Sequence, residues 1–319
     1  MKVVRETLNF LASQAATEAG IDLTDILEMV LVGNPIMHHL LLGIDPTELG
    51  GAPFALASNT GLTLWATEID LKSNPDGRVY FLPCIAGHVG ADTTAVILSE
   101  APHRQEKITL IVDVGTNAEL VLGNNERLLA ASSPTGPAFE GAQIACGQRA
   151  AAGAIERVRI DPLTKQARYK VIGCDFWSDE DGFEEAISDF GVTGICGSGI
   201  IEALAEMYLA GILSTDGVID GRLADETPYV IPVDRTFAYV MREDDTNPIR
   251  VYQTDVRAIQ LAKAALHAGA RLLMDRFGVD SVDRILLTGA FGSHIDTKYA
   301  MVLGMIPDCP LDEVKAVGN

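Results

Sequence analysis

The residues best suited to chemistry form a short link between two apolar runs. The first run ends in Asp113, and the link VGTN follows it. Gly115 has no Cβ, so backbone amides beside it can come within hydrogen-bonding distance of a phosphate. The Thr116 hydroxyl and the Asn117 amide add neutral contacts, and Asp113 suits a cation or its bound waters. An ordinary buried hairpin with an acid at its rim explains the same pattern, and both interpretations stay open.

Three apolar runs position this link. They cover residues 108–113, 118–122 and 127–131, and a turn at 123–125 separates the second run from the third. Glycine and asparagine at the reversals favour tight turns. The sequence therefore predicts three antiparallel strands that carry Asp113 at the end of the first.

A second glycine-rich stretch opens a predicted helix. Residues 196–199 read CGSG, and an apolar-periodic helix follows up to residue 213. Ser198 is a candidate N-cap or phosphate ligand at the start of this helix. Close packing of the helix against a sheet explains Gly197 and Gly199 equally well. Cys196 lies beside them and is expected to be a buried thiol.

A third glycine-rich stretch follows the predicted strand 284–288. It reads GAFG and contains Gly289, Ala290 and Gly292. Strands commonly deliver small residues to the ligand-binding edge of an α/β sheet. This position therefore predicts contact with a ligand.

Two charged residues stand out from small neighbours. Glu140 lies in a small-residue-rich loop over 132–158, where it looks buried between Phe139 and Gly141. It is a candidate general base or water-positioning group, and a helix-start acid is the alternative. Lys263 lies among alanines on a predicted helix over 255–277, where an anionic group can approach it. Snorkelling of the ammonium to water is the alternative.

The first third of the chain predicts a helix over 2–19 and a buried strand over 30–32. A helix over 36–42 follows, and Asn34 before it could fix the turn or touch a ligand. His38 and His39 are adjacent, so they point about 100° apart on a helix and cannot chelate one ion together. We expect packing or capping roles for both.

Composition narrows the classes of function. The chain has 319 residues, 48% of them hydrophobic, and a net charge of −20. This length predicts about two domains, which we divide at 1–105 and 106–319. The acidic charge disfavours nucleic-acid binding and is compatible with docking onto a protein partner. We expect no membrane span and no signal peptide, and hence a cytoplasmic protein. None of the five cysteines lies within four residues of another, which disfavours a metal–thiolate site.

Together, DVGTN, CGSG and GAFG make the chain similar to the actin-like ATPase superfamily. The resemblance implies an α/β fold of two ribonuclease-H-like lobes that close over ATP with Mg²⁺. It implies that the DVGTN hairpin holds phosphate and that GAFG lies against the adenosine. It also implies that Lys263 reaches the ribose or a phosphate.

Longer motifs resemble a narrower family over nearly the whole chain. These are VGNPIMHHLLLGIDPTELGGAPF, LPCIAGHVGADTTAVIL, SSPTGPAFEGAQI, CGQRAAAGAIERV, TGICGSGIIEALAE and LLTGAFGSHID, in that order. They resemble the ATP-dependent reductive activators of corrinoid proteins. The resemblance implies that ATP hydrolysis drives an electron from an iron–sulfur cluster to cob(II)alamin of a methyltransferase system, regenerating cob(I)alamin. It also implies a homodimer.

Two departures from that family set further expectations. The chain has no cysteines of the family's iron–sulfur domain, and it lacks the superfamily's first DxGTT hairpin. We therefore expect a core fragment of a longer protein, with its first lobe incomplete over 1–105 and its second lobe over 106–319 ending early. Whether this fragment hydrolyses ATP stays open. A small-molecule kinase of the same superfamily and a non-catalytic docking or dimerisation module are the alternatives.

Overall fold

The computed structural model describes residues 2–292 and 294–318, apart from the side chains of Ala290 and Phe291. The chain divides into two compact units. The first comprises residues 1–106 with 124–132, and the second comprises residues 107–123 with 133–319.

A small mixed sheet with helices forms the first unit. Its elements are α1 (Lys2–Ala19), β1 (Glu28–Leu31), α2 (Pro35–Leu42), β2 (Leu62–Trp65), β3 (Arg78–Phe81) and α3 (Ala91–Glu100). β3 lies in the middle of the sheet, parallel to β1 and antiparallel to β2. Val79 and Phe81 point from β3 into a core that includes Leu41 of α2. The predicted helices over 2–19 and 36–42 are confirmed.

The prediction of a buried strand at residues 30–32 is wrong. The strand β1 exists, but Val30 is 56% exposed and Val32 is 52% exposed. The physical reason is that β1 is an edge strand of its sheet, and alternate side chains of such a strand point away from the core. A short apolar run does not reveal which of its faces is covered.

Two of the polar residues before and within α2 have structural partners. The Asn34 side chain caps α2 by accepting a hydrogen bond from the Met37 N–H at 2.9 Å, so it fixes the turn. His39 Nε2 accepts from the Ala57 N–H at 3.1 Å, and its Nδ1 lies 2.8 Å from the Pro35 carbonyl oxygen. Since Nε2 accepts, Nδ1 carries the proton. The packing or capping role expected for this histidine is confirmed.

Several sheets and one long helix build the second unit. The remaining strands in chain order are β4 (Thr109–Val114), β5 (Ala118–Gly123), β6 (Leu128–Ser133), β7 (Ala154–Ile160), β8 (Ala167–Val171), β9 (Gly194–Ile195), β10 (Val230–Val233), β11 (Thr236–Arg242), β12 (Ile249–Tyr252), β13 (Arg284–Thr288) and β14 (Val314–Ala316). All but the first five residues of β6 belong to the second unit. The helices are α4 (Phe183–Ala186), α5 (Gly197–Leu209), α6 (Gln253–Phe277), α7 (Gly289–Gly292) and α8 (Thr297–Val302).

The central sheet of this unit is mixed. β14, β13 and β4 are neighbours in that order and run parallel, and β5 pairs antiparallel with β4. The apolar residues of β4 and β5 are almost completely buried, which explains why their runs are continuous rather than alternating. The predicted hairpin of β4 and β5 is confirmed, and the third predicted run forms β6.

Three-stranded sheets complete the second unit, and one of them packs on α5 through β7. β7 pairs antiparallel with β8 and parallel with the short β9, and β10, β11 and β12 form an antiparallel meander. Ten of the thirteen α5 residues are buried, including Ile200, Leu204 and Met207. This helix therefore runs through the interior of the second unit, with its first turn beside β9.

His38 generates a prediction about stability and pH. It is 5% exposed, and neither ring nitrogen has a hydrogen-bond partner among the described residues, although its ring meets the Phe81 ring edge-on with the centroids 5.7 Å apart. Burial, reinforced by the nearby His39, lowers the pKa of His38 from its ordinary value of 6.5. As pH falls below 6.5, the unfolded chain takes up this proton first. Stability from the buried neutral ring is therefore full above that pH and is lost below it.

We expect wild-type protein to lose more unfolding free energy between pH 7.5 and 5.5 than His38→Leu does. The difference should approach, at most, about 1.4 kcal/mol per pH unit below the unfolded-state pKa. Urea titrations followed by fluorescence in a Trp177→Phe background measure it, since Trp65 is the tryptophan of the first unit. Equal pH dependence in the two proteins would contradict the assignment.

Candidate functional site

Parallel pairing of β13 with β4 brings two of the glycine-rich stretches together. Thr288, the last residue of β13, is paired in register with Asp113 near the end of β4. Gly289 follows at once with φ +87°, and a Cβ built there would overlap the Asp113 carboxylate and the Val114 backbone. Only glycine fits this left-handed, closely packed position. The sheet therefore places the GAFG turn directly beside Asp113.

The GAFG residues form a short helix, α7, rather than an open turn. Gly292 is buried, and a Cβ there would lie 3.8 Å from a methyl group of Val114. The backbone of Ala290 belongs to α7, and its side chain lies outside the described part of the structure. Gly289 and Gly292 thus pack on the same segment of the chain as Asp113.

The link after Asp113 is held by hydrogen bonds from the loop that follows β6. The buried Thr135 hydroxyl donates to the carbonyl oxygens of Gly115 at 3.0 Å and Thr116 at 3.1 Å. The Thr116 hydroxyl donates to Glu140 Oε1 at 2.5 Å. Thr116 and Asn117 are exposed, whereas the strands on either side are buried. The structure thus joins two predicted site residues, Thr116 and Glu140, and presents their polar groups to solvent.

The expectation that Glu140 is buried is wrong. Glu140 is exposed, and its neighbour Phe139 is fully buried instead. Phe139 fills the interior because residues 137–140 form a single 3₁₀ turn, which points successive side chains in different directions. The carboxylate is consequently available to ligands from solvent.

Glu140 lines a cavity of about 390 Å³ together with the start of α5. The residues that line this cavity are Glu140, Arg149, Ala150, Glu156, Ile172, Cys196, Gly197, Ser198 and His294. Through Glu140 the DVGTN link is connected to the CGSG stretch, although about 80 residues separate them in sequence. Sequence reasoning missed Arg149, Glu156 and His294 as members of this group.

A tightly folded loop brings Glu140 and Arg149 to one cavity. A Cβ on Gly147 would overlap the Gly141 carbonyl, so only glycine allows the two segments of the loop to touch. The Ala145 N–H donates to Asp255 Oδ1 at 2.9 Å, and the Tyr252 N–H donates to Asp255 Oδ2 at 2.8 Å. Burial raises the pKa of Asp255 while these bonds oppose the rise. Asp255 thereby ties the loop to the beginning of α6.

The start of α5 departs from the prediction for Ser198. The N-cap of α5 is Cys196, and Ser198 lies in the first turn with its hydroxyl 3.3 Å from Cys196 Sγ. Ser198 is therefore not the N-cap, because the helix begins at Gly197, two residues earlier than a Ser198 cap would require. A Cβ on Gly199 would overlap the Ile155 carbonyl, so this glycine serves helix–sheet packing. Cys196 is 2% exposed, which confirms the expected buried thiol.

A buried acid that the sequence did not single out fixes α5 against β7. Glu202 is 0% exposed and forms ion pairs with Arg157 at 2.8 Å and Arg159 at 2.6 Å. Its Oε2 also accepts from the Val158 N–H at 2.9 Å. Charged, bidentate bonding of this kind is strong and directional. The Glu202 cluster, comprising these four residues, therefore sets where the first turn of α5 lies.

One helical turn later, Glu206 continues this attachment. Glu206 accepts hydrogen bonds from the Ile160 N–H at 2.9 Å and from the Tyr299 hydroxyl. Burial, together with the bond to Glu206, raises the pKa of Tyr299, so its phenol stays protonated and donates. Tyr299 belongs to α8, so α5 is connected to the helix that follows the GAFG turn.

Lys263 lies in a different place from the other predicted site residues. Its Nζ donates to the Leu303 carbonyl oxygen at 2.6 Å, and it lines a cavity of about 300 Å³ with Tyr208, Gln260 and Gly304. This cavity shares no lining residue with the one at Glu140. The structure does not bring Lys263 together with the DVGTN link.

The described residues contain no group of three or more His, Cys, Asp or Glu side chains that could hold a metal ion. Within that same part of the chain, no helix is both long and apolar enough to cross a membrane.

The fold of the second unit is that of the actin-like ATPase, or ASKHA, class. Residues 107–319 match the family model described as the C-terminal domain of RACo, the ASKHA domain, and residues 1–105 match the RACo middle region. The chain therefore belongs to the RACo family. The predicted fold class and the resemblance to reductive activators of corrinoid proteins are confirmed.

Individual relatives agree with this assignment. The chain is 35% identical over 329 residues to the corrinoid activation enzyme RamQ of Eubacterium limosum, covering 100% of this chain and 52% of the relative. It is 26% identical over 307 residues to the [Co(II) methylated amine-specific corrinoid protein] reductase of Methanosarcina barkeri, covering 90% of this chain and 53% of that protein.

A solved structure is also similar over the whole chain. The structure of a reductive activator for corrinoid, iron-sulfur protein superimposes with a TM-score of 0.80 at 33% identity, covering 100% of this chain and 49% of that one. The chain thus spans about half the length of the relatives that it matches.

The Glu202 cluster generates a prediction about stability. We expect Glu202→Ala to lower the unfolding free energy of the second unit by about 3 kcal/mol, because it leaves two arginines without their buried counter-charge. Asp275→Ala is the control, since Asp275 is half-exposed and pairs with Arg271 on the α6 surface at 3.2 Å. That exposed pair should contribute less than about 1 kcal/mol. Urea titration of both variants measures the difference, and equal small effects would contradict the role given to Glu202.

Proposed function

We propose that this chain is the nucleotide-binding core of an ATP-dependent reductive activator of a corrinoid protein. The whole protein would return cob(II)alamin to cob(I)alamin by delivering one electron, and a corrinoid protein of a methyltransferase system would be its partner. The observation that carries the proposal is the joining of Asp113, Thr116 and Glu140 at one sheet edge, beside Gly289. The names of the relatives support the corrinoid substrate.

The residues at this edge fit a magnesium nucleotide. Asp113 is half-buried at a strand end and would hold Mg²⁺ or its waters, with phosphate oxygens completing the coordination. Backbone amides near Gly115, the Thr116 hydroxyl and the Asn117 amide are donors that suit phosphate. Gly197, Ser198 and Gly199 would approach the phosphates from the α5 side. ATP hydrolysis supplies the free energy that drives an unfavourable electron transfer.

The adenosine would lie against the GAFG turn. Gly289, Ala290 and Gly292 are small, and the two glycines pack beside Asp113 and Val114. A ribose or phosphate contact by Lys263 remains a proposal, and it requires the ammonium to leave the Leu303 carbonyl oxygen.

Glu140 would position or deprotonate the attacking water. Its carboxylate is exposed at the cavity and accepts a hydrogen bond from the Thr116 hydroxyl. It is therefore oriented toward the link proposed to bind phosphate. A carboxylate within hydrogen-bonding reach of water serves as a general base. Catalytic assignments to Asp113 and Glu140 rest on this arrangement.

Three wider features belong to the same proposal. The electron would come from an iron–sulfur cluster held outside this chain, because none of its five cysteines lies within four residues of another. Residues 1–105 would belong to the first lobe and residues 106–319 to the second. A cytoplasmic location and a homodimer are part of the proposal, and the resemblance to the family supports the homodimer.

Substitution of Asp113 tests the proposal directly. We expect Asp113→Ala, introduced into the whole protein, to reduce ATP-supported cob(II)alamin reduction at least about 100-fold, because the cation loses its protein ligand. The absorbance change on cobalamin reduction measures the rate. Asp280→Ala is the control, since the Asp280 carboxylate is fully exposed. Activity retained in Asp113→Ala would refute the assigned role.

Removal of the Glu140 carboxylate separates binding from hydrolysis. Glu140→Gln keeps the shape and a hydrogen-bond acceptor for Thr116 but cannot take a proton. ATP hydrolysis should fall about 10²–10⁴-fold while calorimetric ATP affinity changes little. Glu185→Gln, an exposed acid on α4, should leave both unchanged. A Glu140→Gln protein that hydrolyses ATP normally would exclude the general-base role.

A further inference from the structure

An arginine without a partner faces the cavity that Glu140 lines. Arg149 is exposed, and its guanidinium has no hydrogen-bond or ion-pair partner among residues 2–292 and 294–318. Arg157 and Arg159, a few residues further on, are both paired with Glu202. Arg149 therefore differs from its neighbours in having its full donor capacity available at the cavity.

The backbone around Arg149 is fixed, although its side chain is not. The Gln148 N–H donates to the Ile195 carbonyl at 2.9 Å, and Gln148 Nε2 donates to Thr193 Oγ1 at 2.8 Å. These bonds attach the residue before Arg149 to β9, immediately before the first turn of α5. Arg149 therefore starts from a defined position next to the Gly197–Ser198 end of the cavity.

The charges that face Arg149 show what kind of ligand it suits. Glu140 and Glu156 are the acids that line the cavity, and Glu140 already accepts the Thr116 hydroxyl. Neither acid is paired with Arg149. The chain as a whole carries a charge of −20, which opposes the approach of any anion. A polyanion can bind here only if a local cation offsets that field.

Arginine meets this need better than the imidazole of His294, which also lines the cavity. A guanidinium is charged at every pH at which proteins fold, and its planar fork donates two parallel hydrogen bonds to phosphate oxygens. An imidazole has no such fork, because its two ring nitrogens point in different directions. Among the described residues that line the cavity, Arg149 is the one arginine or lysine.

We propose that Arg149 binds the phosphate chain of the nucleotide, so that this cavity selects a di- or triphosphate over an uncharged nucleoside. The inference rests on the proposed nucleotide-binding function and adds a phosphate-binding residue to it. Arg149 would supply positive charge from the loop, while the DVGTN link would supply neutral donors.

Calorimetric titration of the 319-residue chain with ATP plus magnesium, and separately with tripolyphosphate, tests the inference. Arg149→Ala should weaken both ligands at least about tenfold, because one charge-assisted, two-pronged contact is lost. Arg149→Lys should recover part of the affinity, since it keeps the charge but not the fork. The thermal unfolding midpoint of both variants should match that of wild type, because the side chain has no folded-state partner.

Arg235→Ala is the matched control. Arg235 is an exposed arginine of the same unit, in the turn that joins β10 to β11, and it lines a different cavity. The Arg235→Ala protein should bind ATP and tripolyphosphate with the affinity of wild type. Affinity of Arg149→Ala within about twofold of wild type for tripolyphosphate would overturn the inference and leave the proposed function intact.

Binding of the two ligands by the wild-type chain distinguishes failure of the nucleotide site from failure of the phosphate-binding role. A wild-type chain that binds tripolyphosphate but not ATP, with loss in Arg149→Ala, would support the phosphate-binding role and count against a nucleotide site. A wild-type chain that binds neither ligand would overturn both.

Discussion

The register between β4 and β13 is the constraint on which the site depends. Because the two strands are parallel and Thr288 is paired with Asp113, their loops leave the sheet at the same edge. The Gly289 backbone can then lie against the Asp113 carboxylate, at a distance that no side chain would permit. A slip of one residue would turn Asp113 to the opposite face of the sheet. The fully buried residues of both strands make such a slip unfavourable, so the core of the second unit fixes the geometry at its edge.

The sequence was most informative where burial produces continuous or periodic apolar runs. The hairpin of β4 and β5 and the long helix α6 lie close to their predicted positions. It was less informative about which side of an element is covered. Val30 and Glu140 show this, since an apolar run resembles a buried strand and an acid beside Phe139 resembles a buried acid. Packing of neighbouring elements decides exposure in both cases, and short local patterns do not contain that information.

It is harder to predict from the sequence which candidate residues lie close together than which residues are candidates. Thr116, Glu140 and Ser198 were each chosen for their residue type and local context. Their connection through one cavity depends on the loop that Gly147 and Asp255 hold in place. The sequence contains only a weak indication of the Glu202 cluster. Arg157 and Arg159 are two residues apart on β7, so they lie on the same face of the strand. Glu202 and Glu206 are one turn apart on α5, so they lie on the same face of the helix. Two arginines on one strand face and two acids on one helix face are complementary, but sequence alone does not show that the faces meet.

The net negative charge of the chain determines which groups the proposed site needs in order to bind an anion. A charge of −20 would repel an anionic ligand at long range, and Asp113 adds a negative charge where the β4–β5 link turns. The link itself offers amide and hydroxyl donors, which contact phosphate without contributing net charge. Lys263 does not offset the repulsion here, because its ammonium bonds to the Leu303 carbonyl oxygen in another cavity. In the proposed site, positive charge at the phosphates would come from a cation held at Asp113, from the loop over 141–153, or from Lys263 once its ammonium leaves the Leu303 carbonyl oxygen. A site of this kind would take a metal-complexed nucleotide in preference to a free anion.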